Sequence, residues 1–387
     1  MDSLTLYRTI LELVLSSQVH FHDKRCLVTF IWAMVGIIKE KCVHLSHWGN
    51  HRPGEVQAAS KQRQFARWLS NAKIRETGLY RKLAQKALAS WKGETIYLAL
   101  DSSSLWNRFV IVRVALIYRG RALPLSWLVM EHASTSVAFE AYQHILKEAA
   151  AILPVRCRVT LLADRGFDDN DLFCLARDLG WSFRIRLKSS LRVYRVSKPA
   201  LKVGRLMPAK GQALFLHKVW LTDRYFGPVY LALAHVQTRN GYEEWAIVSD
   251  EPTDLHTFNE YGLRFDLEEN FLDDKSAGFQ IESSEIRNAA MLSRLGFVLA
   301  TTTLYLVSIG TAVVHSGLRQ LVDPHWNRGL SYFQIGWRWL EHALTNFIKL
   351  HPAFWLEPGP DPYPVYASKS QAAKPVAILY DLRLEVT

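Results

Sequence analysis

The chain has 387 residues, of which 49% are hydrophobic and 21% are charged, so it is too apolar to be a disordered protein. At roughly 150 residues per domain, this length predicts a globular protein of two or three domains. Its 47 lysines and arginines exceed its 36 aspartates and glutamates, and the net charge of +11 favours a polyanionic partner such as nucleic acid.

The basic excess is concentrated in the first quarter of the chain. Residues 1–94 carry 15 basic and 7 acidic residues, a difference of +8, and their apolar residues recur at helical spacing. This segment therefore predicts a basic helical domain that binds DNA, although a solvated helix surface is the alternative and no helix-turn-helix signature is present. The candidates for phosphate contact are Arg63, Arg67, Lys73 and Arg75.

Strands and helices alternate between residues 95 and 189. The predicted strands are 95–100, 109–118, 122–130, 155–163 and 181–188, and the predicted helices are 137–152 and 169–179. A short turn joins the second and third strands, so we expect an antiparallel hairpin there. A helix joins the fourth and fifth strands, so we expect that pair to be parallel. These residues form the first part of a predicted catalytic core.

The remaining chain divides into three predicted segments. Four β-rich runs separated by Gly, Pro, Asn and Asp predict an all-β insertion at 190–252. Residues 253–350 predict a largely helical second part of the core, and residues 351–387 predict a Pro-rich tail that is extended or loose. Within the helical part, residues 295–314 form an uncharged run long enough to span a bilayer. Its five Thr or Ser and two Gly favour a buried core helix over a membrane anchor.

Cysteine usage and the first residues indicate a cytoplasmic protein. None of the four cysteines forms a C-x-x-C pair or a zinc-type cluster, which is typical of a reducing compartment. The sequence MDSLTLYRTILELVLSS lacks the basic leader of a secretory signal. We therefore expect a cytoplasmic chain with no membrane partner.

Two aspartates directly follow apolar strands. Asp101 follows the first predicted strand, and Asp164 follows the fourth. If these strands are neighbours, both carboxylates lie at one edge of the sheet and offer the hard oxygen ligands that Mg²⁺ prefers. For each aspartate alone, a turn or cap residue is the alternative. We interpret Ser102 to Ser104 as turn and cap residues.

Four polar residues further along share a helical spacing. Intervals of three, four and seven residues separate Tyr261, Arg264, Glu268 and Lys275. On a continuous α-helix these intervals place the four side chains on one face. The alternative is a solvated face with an Arg264–Glu268 ion pair, which contributes little to stability. Spacing alone does not exclude Glu269 or Asp266 as the functional acidic residue of this segment.

These elements resemble the DDE transposases of bacterial insertion sequences, in the subgroup with a Y-R-E-K signature. The signature asks for Tyr, two residues, Arg, three residues, Glu, six residues and Lys, and residues 261–275 meet every interval. Residues 164–167 match the Asp-x-Gly-Phe element of the family, and Asp101 lies where its first aspartate belongs. The β-rich insertion between the second Asp and the Glu also agrees. The resemblance covers residues 60–345.

The resemblance implies an α/β fold with an RNase H-like mixed sheet flanked by helices. It implies that Asp101, Asp164 and Glu268 are both the catalytic residues and the metal ligands, and it sets Glu269 and Asp266 aside. The implied cofactor is a pair of Mg²⁺ ions per active site, for which Mn²⁺ can substitute.

The resemblance also implies roles in DNA binding. Arg264 and Lys275 would grip the phosphates that flank the cut, Arg as a bidentate donor and Lys as a point charge. Tyr261 would contact the backbone of the transposon end or stack on a base. Trp181 is a candidate for stacking on a flipped base, and a core position is the alternative.

The implied protein is a DNA transposase that cleaves transposon ends and joins them to target DNA by two-metal hydrolysis and transesterification. Its implied partners are double-stranded DNA, as terminal inverted repeats and target, and a second copy of the chain in a homodimeric synaptic complex. The alternative is a domesticated or non-transposing DNA-binding or nuclease relative with the same fold.

Overall fold

The computed structural model describes residues 3–238, 241–350, 354–364 and 377–381. These residues have a mixed α/β fold, in which eleven strands form one sheet. The strands are β1 (Thr95–Leu105), β2 (Phe109–Tyr118), β3 (Arg121–Glu131), β4 (Arg158–Ala163), β5 (Ser182–Arg186), β6 (Arg192–Arg195), β7 (Lys198–Lys202), β8 (Gln212–Leu221), β9 (Phe226–Thr238), β10 (Gly241–Ser249) and β11 (Ala377–Asp381).

Helices precede the sheet, connect its strands and follow it. The helices before β1 are α1 (Ser3–Ser16), α2 (Lys24–Glu40), α3 (Leu45–Trp48), α4 (Ala58–Ser70) and α5 (Glu76–Ala87). The connecting helices are α6 (Phe139–Ala150) and α7 (Asn170–Asp178), and the helices after β10 are α8 (Leu255–Gly262), α9 (Phe265–Leu272), α10 (Ala289–His315) and α11 (Tyr332–Thr345). The predicted helical character of the first quarter of the chain is confirmed.

The strand order in the sheet is β3-β2-β1-β4-β5-β10-β9-β8-β6-β7, and β11 pairs with β8. The predicted antiparallel hairpin of β2 and β3 is confirmed, as is the parallel pairing of β4 and β5. The β-rich insertion joins the same sheet, because β10 pairs antiparallel with β5. The insertion therefore extends the sheet that carries the two strand-end aspartates.

Strand β2 is buried on both faces, as its near-continuous apolar sequence predicts. On one face, Ile111 and Ala115 pack against Leu267 and Phe271 of α9. On the other face, α6 covers the hairpin, and the hydroxyl of Ser126 in β3 donates to a backbone carbonyl of that helix. Helix α9 is thereby fixed against the sheet by its apolar face.

Helix α10 runs through the hydrophobic core. Its Phe297 stacks on Phe30 of α2, with ring centroids 4.6 Å apart, so the N-terminal helices share one core with the rest of the described chain. Among the described residues, α10 is the one helix long and apolar enough to cross a membrane, and 94% of its most apolar stretch is buried. A single such helix is weak evidence for a membrane span, and its burial is what a core helix requires.

Two glycines allow α10 and α11 to approach closely. A Cβ at Gly336 would overlap the carbonyl oxygen of Leu306, and a Cβ at Gly310 would overlap that of Tyr332. We expect Gly336→Ala to lower the free energy of unfolding by ~1–3 kcal/mol, because the added methyl forces the two helix backbones apart. Urea unfolding followed by circular dichroism measures this loss.

The matched control for that substitution is Gly78→Ala in α5, where a Cβ would meet nothing within 4 Å. There, alanine should stabilise the protein by up to ~1 kcal/mol, because glycine is the poorer helix former. Equal effects of the two substitutions would contradict the close approach of α10 and α11.

Three sequence predictions differ from the structure. Ser102 to Ser104 are strand residues of β1 and do not form a turn, because β1 continues past Asp101 and pairs them with β2. The predicted single helix is broken after α8, since residues 263–264 form a turn before α9. The tail, predicted to be extended or loose, contributes the strand β11, which joins the sheet and pairs parallel with β8. Residues 354–364 lack regular structure, and residues 365–376 lie outside the described residues.

Candidate active site

Two aspartates meet where β4 ends. Strands β1 and β4 are parallel neighbours, with Leu100 opposite Ala163, so Asp101 and Asp164 are the next residues on the two strands. Beyond this point β1 continues beside β2 alone, which leaves Asp101 at an opening in the sheet. The predicted adjacency of the two strands is confirmed.

A third carboxylate faces the same opening from α9. The apolar face of α9 is fixed on the sheet, and Glu268 lies on the side that lines a cleft of ≈ 510 Å³. The polar side chains that line this cleft include Asp101, Asp164, Glu268, Arg264, Lys275, Thr135 and Ser136. The structure thus brings three distant acidic residues to one cleft, together with two basic residues of the 261–275 motif.

Arg264 joins two of these carboxylates. Its Nη1 donates to Oδ2 of Asp101 at 2.6 Å, and its Nη2 donates to Oε1 of Glu268 at 2.8 Å. The Arg264 side chain is 5% exposed, and its Nε has no hydrogen-bond partner. The ion pair with Glu268 was the alternative interpretation of the spacing, and here it is one half of a bridge that also holds Asp101.

Asp164 is held by a tyrosine from α8. The hydroxyl of Tyr261 donates to Oδ1 of Asp164 at 3.3 Å, and Nη1 of Arg186 lies 3.9 Å from the same oxygen. The Tyr261 ring is fully buried and packs edge-on against Trp245, with centroids 4.9 Å apart. The predicted DNA contact of Tyr261 is therefore not supported by this structure, in which the residue positions Asp164.

Burial and neighbouring charges shift the pKa values of Asp101 and Arg264. Burial raises the pKa of Asp101 to about 6; Arg264 opposes this shift, and the nearby Asp164 and Glu268 add to it. Burial alone would lower the pKa of the Arg264 guanidinium, but Tyr261 and the surrounding carboxylates outweigh it and raise that pKa above its usual range. Arg264 is therefore a permanent cation inside the cleft.

Asp101, Asp164 and Glu268 all line one cleft, and their carboxylate oxygens are the ligand type that a hard cation such as Mg²⁺ prefers. In the described part of the chain, however, no three His, Cys, Asp or Glu side chains are grouped closely enough to hold a metal ion. Arg264 contacts an oxygen of Asp101 and an oxygen of Glu268, so two of the three candidate ligands are engaged with a guanidinium. The predicted Mg²⁺ site stays a prediction.

The two alternative acids lie elsewhere. Glu269 is 3.6 Å from Arg121 of β3, and neither Glu269 nor Asp266 lines the cleft. The pKa of Asp266 is raised by burial to about 6. Of the acidic residues on α9, Glu268 is therefore the one that faces the cleft.

Lys275 and Trp181 are two further residues predicted to contact DNA. Lys275 lines the cleft and lies 3.9 Å from Glu282, in a single π-helical turn after α9. Trp181 is 5% exposed and belongs to the hydrophobic core, so its ring offers no open face to a flipped base. The core interpretation of Trp181 fits the structure.

The four basic residues predicted to contact phosphates are all exposed; they are Arg63, Arg67, Lys73 and Arg75. Two of them, Lys73 and Arg75, line a groove of ≈ 420 Å³ together with Lys82. The N-terminal helices thus present positive charge to solvent, as binding to a phosphate backbone requires.

Sequence reasoning missed the partners of the motif residues. Thr135 and Ser136 line the cleft from the loop after β3 without any sequence motif. The contact of Arg264 with Asp101 joins residues 163 positions apart, and no local pattern signals it.

No family model and no curated protein matches the chain. Among solved structures, the chain is similar to a piggyBac transposase in a synaptic complex with hairpin DNA, with 11% sequence identity and a TM-score of 0.42. The match covers 92% of this chain and 80% of that one. A similarity of this extent does not by itself assign a fold family or an activity.

Proposed function

We propose that the chain is a DNA transposase that cleaves transposon ends and joins them to target DNA. The observation that carries this proposal is the convergence of Asp101, Asp164 and Glu268, from two strands and a helix, on one cleft. The resemblance of the 261–275 motif to the Y-R-E-K transposases supports the choice of reaction.

The core of the sheet supports an RNase H-like fold as part of the same proposal. The first three strands are antiparallel neighbours, and β4 and β5 continue from β1 as parallel strands. This order supports the proposal, because Asp101 of β1 and Asp164, the residue after β4, are next to each other on neighbouring strands of a rigid sheet. It is the arrangement that the resemblance implies.

In the proposed mechanism, Asp101, Asp164 and Glu268 would hold Mg²⁺, for which Mn²⁺ could substitute. A pair of such ions supplies the activation of a water or 3′-hydroxyl and the stabilisation of the leaving oxygen at phosphorus. Tyr261 keeps Asp164 oriented through its hydroxyl, and burial in the core fixes the ring that carries it.

The basic residues would bind DNA at the cleft and on the N-terminal helices. Lys275 lines the cleft and would bind a phosphate next to the cut as a point charge. The exposed basic side chains of α4 and of the turn after it would bind the backbone of the transposon end. Two ends must be held together before joining, so we propose that the working form is a homodimer.

A cleavage assay tests the proposal. The purified chain is incubated with Mg²⁺ and a supercoiled plasmid that carries the DNA flanking its coding region, and product ends are mapped by sequencing. We expect cuts at short inverted repeats in the flanking DNA, and none when EDTA replaces Mg²⁺. Binding to the plasmid without any cut would instead favour the non-transposing relative.

A further inference from the structure

The two hydrogen bonds of Arg264 engage two of the three residues that would hold a metal. Its guanidinium contacts Asp101 Oδ2 and Glu268 Oε1, and each contact is within 2.8 Å. The other oxygen of Asp101, Oδ1, accepts from the backbone N–H of Ser102 at 2.8 Å, so both oxygens of this carboxylate are engaged. A cation that enters the cleft meets two carboxylates already paired with Arg264, and the fixed positive charge of that residue.

Arg264 can leave these partners without unfolding a helix. It lies in the turn at residues 263–264, between α8 and α9, and its side chain also lines the cleft. The guanidinium packs over the ring of Phe265 at 4.8 Å, and its Nε is not tied by a hydrogen bond. Moving the guanidinium off the two carboxylates therefore breaks its Nη hydrogen bonds but none at Nε.

We propose that Arg264 is an internal counter-ion that competes with the divalent metal for Asp101 and Glu268. When a metal binds these carboxylates, Arg264 turns into the cleft, where it is available to a DNA phosphate. The inference rests on the proposed metal-dependent function. It predicts that metal and DNA phosphate bind with positive cooperativity, because each favours the same position of Arg264.

The first test uses the wild-type protein and an arginine-specific dicarbonyl reagent. Modified arginines are identified by mass spectrometry, with Mn²⁺ or with EDTA present. We expect Arg264 to be protected in EDTA and to become reactive at saturating Mn²⁺. The internal control is Arg328, which is also buried and paired with Asp361 at 2.8 Å, and which should stay protected under both conditions.

The second test compares Arg264→Gln with Arg328→Gln, since each removes one buried arginine from an ion pair. Calorimetry measures Mn²⁺ affinity in the absence of DNA. Arg264 lies 2.6 Å from Asp101 and 2.8 Å from Glu268, so loss of its positive charge should raise the Mn²⁺ affinity of Arg264→Gln on the order of tenfold or more. The affinity of Arg328→Gln should equal that of the wild type.

Two results would overturn the competition. One is an Arg264 that stays protected at saturating Mn²⁺, which the labelling decides even if Arg264→Gln fails to fold. The other is a folded Arg264→Gln that binds Mn²⁺ no more tightly than the wild type. If either is found in a protein that still cuts DNA with Mg²⁺, the proposed function stands. A wild-type protein that binds no Mn²⁺ refutes the metal-dependent function itself, and the competition with it.

Discussion

Asp164→Asn should abolish Mg²⁺-dependent DNA cleavage while leaving the fold intact. The substitution keeps the size of the side chain but removes the charge that the proposed metal site requires at the end of β4. A metal ion contributes several kcal/mol of transition-state stabilisation, so we expect the cleavage rate to fall by roughly a thousandfold or more. Gel analysis of the plasmid substrate measures the rate.

The matched control is Asp169→Asn, five residues further along. Asp169 is exposed, caps α7 by accepting from the backbone N–H of Asp171, and does not line the cleft. Asparagine caps helices about as well as aspartate, so cleavage and stability should be unchanged. Binding of Asp164→Asn to the same DNA, measured by fluorescence anisotropy, should stay within a few-fold of wild type. Mg²⁺-dependent cutting by Asp164→Asn at the wild-type rate would remove Asp164 from the site.

The position of the two aspartates could be predicted because it follows from local patterns. Each aspartate directly follows an apolar run, although β1 itself continues to Leu105, and the helical crossover between β4 and β5 requires those strands to be parallel. Once the first and fourth strands are parallel neighbours, the residues that follow their apolar runs must meet. The proximity of Asp101 and Asp164 could therefore be predicted from the order of the strands, without knowledge of other tertiary contacts.

The surroundings of the motif residues could not be predicted in the same way. A spacing of three and four specifies one face of a helix, but it does not say which element covers that face or where the helix breaks. Tyr261 is buried because Trp245 of β10 packs on it, and Arg264 is bonded to Asp101 because α9 docks on the hairpin. Both contacts join segments that are remote in sequence or belong to the insertion.

The strand character of the three serines has a similar cause. Serine favours turns because its hydroxyl competes for local backbone groups. Here, Ser102 to Ser104 lie opposite Val112 to Val110 of an apolar strand, and this pairing extends β1 beyond Asp101. The pairing partner decides the conformation, and it cannot be read from the serines themselves.

Arg113→Met should be among the most destabilising substitutions in the core of the sheet. Arg113 is the residue of β2 opposite Asp101, and its side chain is only 5% exposed. Its Nη2 donates to Asp274 at 2.6 Å, and its Nη1 donates to Asn270 at 2.6 Å. Removing the guanidinium leaves the buried Asp274 without its partner, which costs ~3–5 kcal/mol of the free energy of unfolding. Chemical denaturation measures the loss.

Arg108 provides the matched surface pair on the same hairpin. It lies 3.4 Å from Glu131, and both side chains are more than half exposed, so Arg108→Met should cost no more than ~1 kcal/mol. The double substitution Arg113→Met with Asp274→Leu should recover most of the stability, because it removes both buried charges. If Arg113→Met alone lowers the free energy of unfolding no more than Arg108→Met does, the buried Arg113–Asp274 ion pair is contradicted.

The double variant of Arg113 and Asp274 also tests whether this buried pair positions the residues of the cleft. Arg113 holds Asn270 and Asp274 on the stretch of chain that presents Glu268 and Lys275 to the cleft, and it also packs over Phe271 at 4.7 Å. We expect the stabilised double variant to fold but to cleave more slowly than the wild type, because α9 has lost its polar anchor to the strand that pairs with Asp101. Full cleavage activity in that variant would mean that apolar packing alone positions Glu268.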